Sequence, residues 1–278
     1  MKLQPVVAGA FYPAQPGRLS EALEAFGKGE KDLPAGENPV ALLLPHAGYP
    51  YSGSVAARGY RRLPEPVETV VLAGPSHYVS FRGVSIFRGE SVVTPLGNLP
   101  VDQEACRFLM EFDPRIAEIP AAFEREHSVE VHFPLVRHYL GGAKVVPLVM
   151  GQGAEDSVKP LSEALLALWK RKRFLFVASS DLSHYPDYDT AQKADREFLA
   201  ALLTGSEREV EKMDAKIMGR GYPEFYCTHC GREPLAVLLR FAKGVKAEKA
   251  ELLEYRNSGD VTGERDRVVG YAAVAFSR

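Results

Sequence analysis

Three apolar runs, each handing over at once to a loop that carries a histidine, limit what this chain can fold into. The first is Val40-Ala41-Leu42-Leu43-Leu44, closed by Pro45 and followed by His46-Ala47-Gly48-Tyr49-Pro50-Tyr51-Ser52-Gly53. The second, residues 68–73, leads into Gly74-Pro75-Ser76-His77, and the third, residues 174–178, into Ser179-Ser180-Asp181-Leu182-Ser183-His184. Short runs without polar alternation read as strands covered on both faces. In open parallel α/β sheets, ligands lie in the crevice at the carboxyl ends of the strands. The pattern predicts three imidazoles delivered to one sheet edge, where they suit metal ligation or acid–base work.

The rest of the chain fits an alternating frame. Further strands are expected at 143–150, 250–255 and 268–276. Helices are expected at 18–26, 54–62, 102–110, 128–140, 156–172, 190–203, 207–212 and 231–242, with Ser52, Asp102 and Ser128 as capping residues. Residues 83–88 and 90–94 alternate enough for an added hairpin, whose exposed edge would suit a homodimer. Residues 27–39 read as a polar surface loop. Strand and helix alternate from 40 to 180, which argues βαβ units. The expected fold is α/β: a single domain over 1–278, with a mixed, mostly parallel central sheet flanked by helices on both faces.

Charge excludes some partners. Thirty-four basic against 36 acidic side chains leave a formal charge of −2 with the signs mixed along the chain. That gives no footprint for nucleic acid or an anionic membrane. No apolar run approaches the roughly 20 residues that span a bilayer. Three cysteines do not make a disulfide framework, and the cytoplasm is the expected location.

Several further motifs carry chemistry. Cys227-Thr228-His229-Cys230 is half a zinc site or a redox pair, with no second CxxC to complete it. Cys230 also stands at a helix amino end, where the backbone dipole would stabilise its thiolate as a ligand or reactive group; a buried inert thiol is the alternative. Glu126-His127-Ser128-Val129-Glu130-Val131-His132 lacks the spacing of a zincin. Glu126 and His127 are expected to border the pocket, His132 and His138 to be structural or exposed. Gly151-Gln152-Gly153 lacks the third glycine and the lysine of a nucleotide loop. Ser179-Ser180-Asp181 suggests a serine hydrolase, but nothing specifies an oxyanion hole.

In order along the chain, Ala8-Gly9-Ala10-Phe11-Tyr12-Pro13, Pro45-His46-Ala47-Gly48-Tyr49-x-Tyr51-Ser52-Gly53, Gly74-Pro75-Ser76-His77, the Glu126–His132 block, Ser179–His184 and Cys230-Gly231-Arg232-x-Pro234 together resemble the Memo family. Its prokaryotic branch is often called AmmeMemoRadiSam system protein B. That resemblance implies a fold similar to the class III, LigB-type extradiol dioxygenases, with a non-haem iron pocket. It places His46 and His77 as metal ligands, His184 as the acid–base residue and His127 in the pocket. Cys230 falls where those dioxygenases have a carboxylate, and Glu233, one helical turn on, is a substitute ligand. Tyr51, Phe11 and Tyr12 would line the mouth. Fe(II) is the implied metal, with Cu and Zn as alternatives, because a thiolate softens the site. Implied partners are a small-molecule or peptide ligand in the pocket, together with AMMECR-type and radical-SAM proteins.

Three functional readings follow. One is a metal-dependent, dioxygenase-like redox protein, with metal on His46, His77 and Cys230 and with His184, oriented by Asp181, moving a proton on a small phenolic or polar substrate. The second is a non-catalytic module binding an aromatic or phospho-aromatic ligand. The third is a metal-dependent hydrolase.

Overall fold

The apolar runs do form strands, and their order in the sheet decides where the histidines go. The computed structural model describes residues 1–27, 38–63, 66–151, 153 and 155–278; positions 28–37 of the expected surface loop and 152 of the Gly-x-Gly segment lie outside them. The strands are β1 (Lys2–Leu3), β2 (Pro39–Leu44), β3 (Thr69–Pro75), β4 (Val84–Ile86), β5 (Ser91–Val92), β6 (Leu99–Pro100), β7 (Ile116–Ala117), β8 (Lys144–Met150), β9 (Leu175–Ser179), β10 (Lys249–Asn257) and β11 (Gly270–Ser277).

Eight of them make the central sheet, in the order β10-β11-β2-β9-β3-β8-β4-β7. The four inner strands β2, β9, β3 and β8 run parallel, while β11 is antiparallel to β2 and β4 is antiparallel to β8. Every residue of β2, β3, β9 and β11 is buried. This is the signature of strands covered on both faces. One cover is the helix Arg232–Gly244, which packs on β2, β9 and β3 and against the helix Glu155–Arg171. The other includes Ser54–Arg61, on β2, β10 and β11 and against His132–Tyr139. Gly59 permits the close approach there, since a Cβ would collide with the Leu44 side chain.

The sequence-derived α/β class with a mixed, mostly parallel sheet holds. β9 pairs with β2 on one side and β3 on the other, with Phe176 opposite both Ala41 and Val71. The carboxyl ends of these three strands therefore finish side by side. Local details differ. There is no 83–94 hairpin: β4 joins the main sheet between β8 and β7, whereas β5 pairs with β1 and β6 in a separate three-stranded sheet. The hairpin edge expected as a dimer surface is thus taken up inside the fold. Ser52 is no cap, because a π-helical turn over Tyr49–Gly53 precedes the helix and the Ser52 hydroxyl donates to the Ala47 carbonyl. Ser128 is no cap either; its hydroxyl donates to the Pro75 carbonyl at 2.8 Å, tying the loop to β3. Asp102 does cap, accepting from Ala105 N at 3.1 Å. The helix Glu207–Met218 runs six residues past the expected end at 212. No helix among the described residues is long and apolar enough to cross a membrane.

Candidate metal centre

Pro45 ends β2, and the next residue, His46, is 1% exposed. Its backbone N donates to Asp181 Oδ1 at 2.7 Å, and its ring Nδ1 lies 2.7 Å from Ser179 Oγ, the last residue of β9. With Nδ1 occupied, the ring offers Nε2 to the centre. His77 follows β3 in the same manner. Its Nδ1 and backbone N both donate to Glu126, at 2.8 and 2.6 Å. Glu126 also accepts from the amides of His127 and Ser128. Burial alone would raise this carboxyl, but the hydrogen bond and charge of His77 and the surrounding amides outweigh it and hold it below its usual value. Glu126 is thus an anion that orients His77, the arrangement found behind metal-ligating imidazoles.

His127, expected only to border the pocket, belongs to the centre itself. Its ring stacks on His77 with centroids 4.5 Å apart and lies 5.5 Å from the His46 centroid. One donor atom from each of His46, His77 and His127 lies within 4.8 Å of the other two. Burial, reinforced by the neighbouring imidazoles, holds His46 well below its ordinary pKa; burial and then His77 push His127 down to about 4. Both are neutral at neutral pH, the form that ligates metal. The buried Nδ1 of His127 has no hydrogen-bond partner.

Cys230, expected as the third ligand, comes up beside His46 from the far end of the chain but is not in the donor cluster, where His127 stands instead. Its Sγ is 3.3 Å from His46 Nε2 and accepts from Asp181 N at 3.3 Å. Gly231 makes this possible, because a Cβ there would run into the Ser179 carbonyl and the Ser180 side chain. The expected dipole-stabilised thiolate is not found. Burial, with the Asp181 charge beside it, pushes the Cys230 thiol well up, so desolvation outweighs the helix end. All three cysteines are free.

Compared with known proteins, the chain matches the family model described as Memo-like protein over residues 4–275. It belongs to the Memo family. A MEMO1 family protein of Methanobrevibacter smithii is 32% identical over 289 residues, covering 99% of this chain and 100% of that protein. Those of Methanocaldococcus jannaschii and Methanococcoides burtonii are 35% and 36% identical, covering 97% and 98% of this chain and 96% and 98% of theirs. The solved structure of an uncharacterized protein from Escherichia coli K12 superposes with a TM-score of 0.53 at 15% identity, over 85% of this chain and 99% of that one. This last likeness shows a shared fold.

In this Memo-family chain the histidines face an open cavity of about 630 Å³, with His184, Tyr185, Tyr226 and Cys227 on its outer side. His184 is not oriented by Asp181 as expected. Its Nδ1 lies 2.8 Å from the Leu182 carbonyl, which can only accept, so Nδ1 carries a proton and donates there. Asp181 instead accepts from the amides of His46 and Ala47; burial pushes its carboxyl up against the pull of His184 and those amides. Tyr185 sits in a left-handed conformation at φ 70°. Its N–H to the Val268 carbonyl at 2.7 Å, and that of Tyr226 to the His184 carbonyl at 3.0 Å, hold it there.

The expected mouth residues divide. The Phe11 ring lies 4.8 Å from that of His127 and does border the centre. Tyr12 is buried, donating to Glu130 Oε1 at 2.8 Å, so Glu130 fastens the amino-terminal loop rather than the site. Tyr51 is exposed and outside the cavity lining. Glu233 lines the cavity but accepts from Gly153 N at 3.2 Å and is not in the donor cluster. Sequence reasoning missed Tyr78, whose ring lies 5.9 Å from His127, and named Ser179 only within the Ser-Ser-Asp and Ser179–His184 motifs, not as the partner of His46 that it is.

Proposed function

We propose that this protein is a metal-dependent, dioxygenase-like redox protein acting on a small phenolic or polar molecule admitted by the cavity. The observation that carries this is the convergence of His46, His77 and His127 within 4.8 Å at the floor of an open cavity. The donor chemistry fits one ion. Two rings have their outer nitrogens held by Ser179 and Glu126, and the third has a buried Nδ1 that makes no hydrogen bond and lies 3.5 Å from Glu126 Oε1. Imidazoles suit Fe(II), Cu and Zn alike, and Cys230 beside His46 adds a softer donor. Bound Fe(II) or Cu would supply the electron-transfer chemistry. The protein's own residues do the rest: His184 Nε2 takes a proton from a substrate hydroxyl, and Ser179 and Glu126 hold the rings of His46 and His77 in place.

Metal analysis of protein purified without a chelating tag tests this. The expected result is about one metal per chain, lost in His46→Ala, His77→Ala and His127→Ala. Stoichiometric metal that survives both His46→Ala and His77→Ala overturns the assignment. With metal in place, oxygen uptake in the presence of simple phenols should depend on His184.

The three-imidazole set also supports a second reading. With no carboxylate in the cluster, it matches the donors of zinc sites that activate water. Zinc occupancy, ester hydrolysis and no oxygen uptake would select a hydrolase instead.

A further inference from the structure

Behind His46 runs a hydrogen-bonded chain that the centre itself does not contain. It joins Tyr60, His132, Ser179 and the Ser128 carbonyl, four residues each 0–1% exposed. Tyr60 OH lies 3.1 Å from His132 Nδ1, and His132 Nε2 lies 3.0 Å from Ser179 Oγ. Ser179 Oγ is in turn 2.6 Å from the Ser128 carbonyl and 2.7 Å from His46 Nδ1.

The protons in this chain can be assigned by accounting. A carbonyl oxygen only accepts, and a serine hydroxyl has one proton and two lone pairs. The shortest contact of Ser179 is to the Ser128 carbonyl, so its single proton goes there. Ser179 Oγ then faces the two imidazoles with lone pairs only, and both must donate to it. His46 is thereby protonated on Nδ1 and His132 on Nε2. The remaining nitrogen of His132 accepts the Tyr60 hydroxyl proton, and every polar atom in the chain is satisfied. The opposite tautomer of His46 would set two lone pairs against each other at 2.7 Å inside the core. An unpaired buried group of that kind is strongly disfavoured.

We infer that Ser179 and His132 are positioning residues which fix the tautomer and ring orientation of His46, so that its Nε2 lone pair, rather than an N–H, faces the centre. The consequence for the metal rests on the functional reading above; the tautomer does not. His132 acts through Ser179 and does not itself touch the centre. The device explains why β9 ends on a serine: a residue without a hydroxyl at 179 could not donate to the Ser128 carbonyl and accept from two rings at once.

Two measurements test this on the full chain. Nitrogen-15 spectra of the metal-free protein should show the His46 proton on Nδ1 and the His132 proton on Nε2. Finding the His46 proton on Nε2 overturns the inference, whether or not any variant folds. Zn(II) affinity, measured by competition with a chromophoric chelator, should fall ~10- to 100-fold in Ser179→Ala. Ser179→Thr, which keeps the hydroxyl, should restore it. His132→Phe should fall between the two and broaden the His46 spectrum into a tautomer mixture. Wild-type Zn(II) affinity and an unchanged His46 spectrum in Ser179→Ala would also overturn it. If the wild type binds no metal but shows the assigned tautomers, the metal reading fails and the positioning chain stands.

Discussion

The inner and outer walls of the cavity are anchored by different chemistry. On the inner wall, a carboxylate held below its usual pKa, Glu126, accepts from the ring and amide of His77 and from the amides of His127 and Ser128. On the outer wall, the loop carrying His184 is tied to Asp195, which accepts from Ser183 N at 3.1 Å and Tyr255 OH at 2.8 Å. Burial pushes Asp195 up to about 7, because two hydrogen bonds and no nearby cation do not offset full desolvation. One anchor stays ionised through the physiological range and the other titrates within it. The inner histidines His46 and His77 have their ring nitrogens held by Ser179 and Glu126, although only His46 is buried, while the outer wall carries a strained, 40%-exposed Tyr185 and a 78%-exposed Tyr226. Under the proposed function, the first wall would hold the metal and the second would meet the substrate.

The sharpest test of that contrast is Glu126→Ala. It strips the acceptor from His77 and the amides behind it, and should cost about 2–3 kcal/mol in denaturant unfolding, because buried donors lose a charged acceptor. The sign with pH follows from the lowered carboxyl. Its contribution is present above the unfolded value near 4 and is lost as pH falls through the folded value. A variant losing under about 1 kcal/mol would show that the inner wall does not depend on this anion.

Asp195 should behave in the opposite sense. Its folded pKa is raised, so its contribution is fully present below about 4 and is lost as pH rises towards about 7. Three pH units at about 1.4 kcal/mol each make a swing of up to about 4 kcal/mol. Asp195→Asn should flatten that slope in stability measured from pH 4 to 8. An unchanged slope would remove the titrating anchor from the comparison.

A smaller effect comes from the outer wall's backbone. Glycine tolerates the φ of 70° at position 185 without steric cost. Tyr185→Gly should therefore raise stability by about 0.5–1 kcal/mol after the entropy of the unfolded glycine is counted. Lowered stability would mean that the ring holds the wall together. Smallest of all, Glu233→Gln touches a single 3.2 Å contact. It should change stability by less than about 0.5 kcal/mol and leave metal content as it was; loss of metal would restore Glu233 as a ligand.

Much of this was legible in particular residues. Val40–Leu44, 68–73 and 174–178 announced buried strands because nothing polar interrupts them, and the histidine after each pointed to one sheet edge. The loop between Phe123 and Leu135 was read less well. Its two histidines differ by five positions and face opposite ways, His127 into the centre and His132 into the core against Tyr60. Outside a regular helix or strand, no periodicity assigns a side chain to a face, so the sequence set His127 at the pocket and His132 apart from it but did not show that His127 is a donor of the centre. Tyr12 and Tyr51 failed for the same reason.

What the amino-acid order determined by itself was the α/β class, the strands and the edge at which chemistry collects, since these follow from local hydrophobic pattern and strand–loop punctuation. What only the folded chain decided was which donors meet and in what protonation state. His127 joins His46 and His77, the Cys230 thiol is raised rather than lowered, and Ser179 turns one imidazole outward. Each of these depends on desolvation and on hydrogen bonds between residues 49 to 184 positions apart, and these come together only when the whole sheet closes.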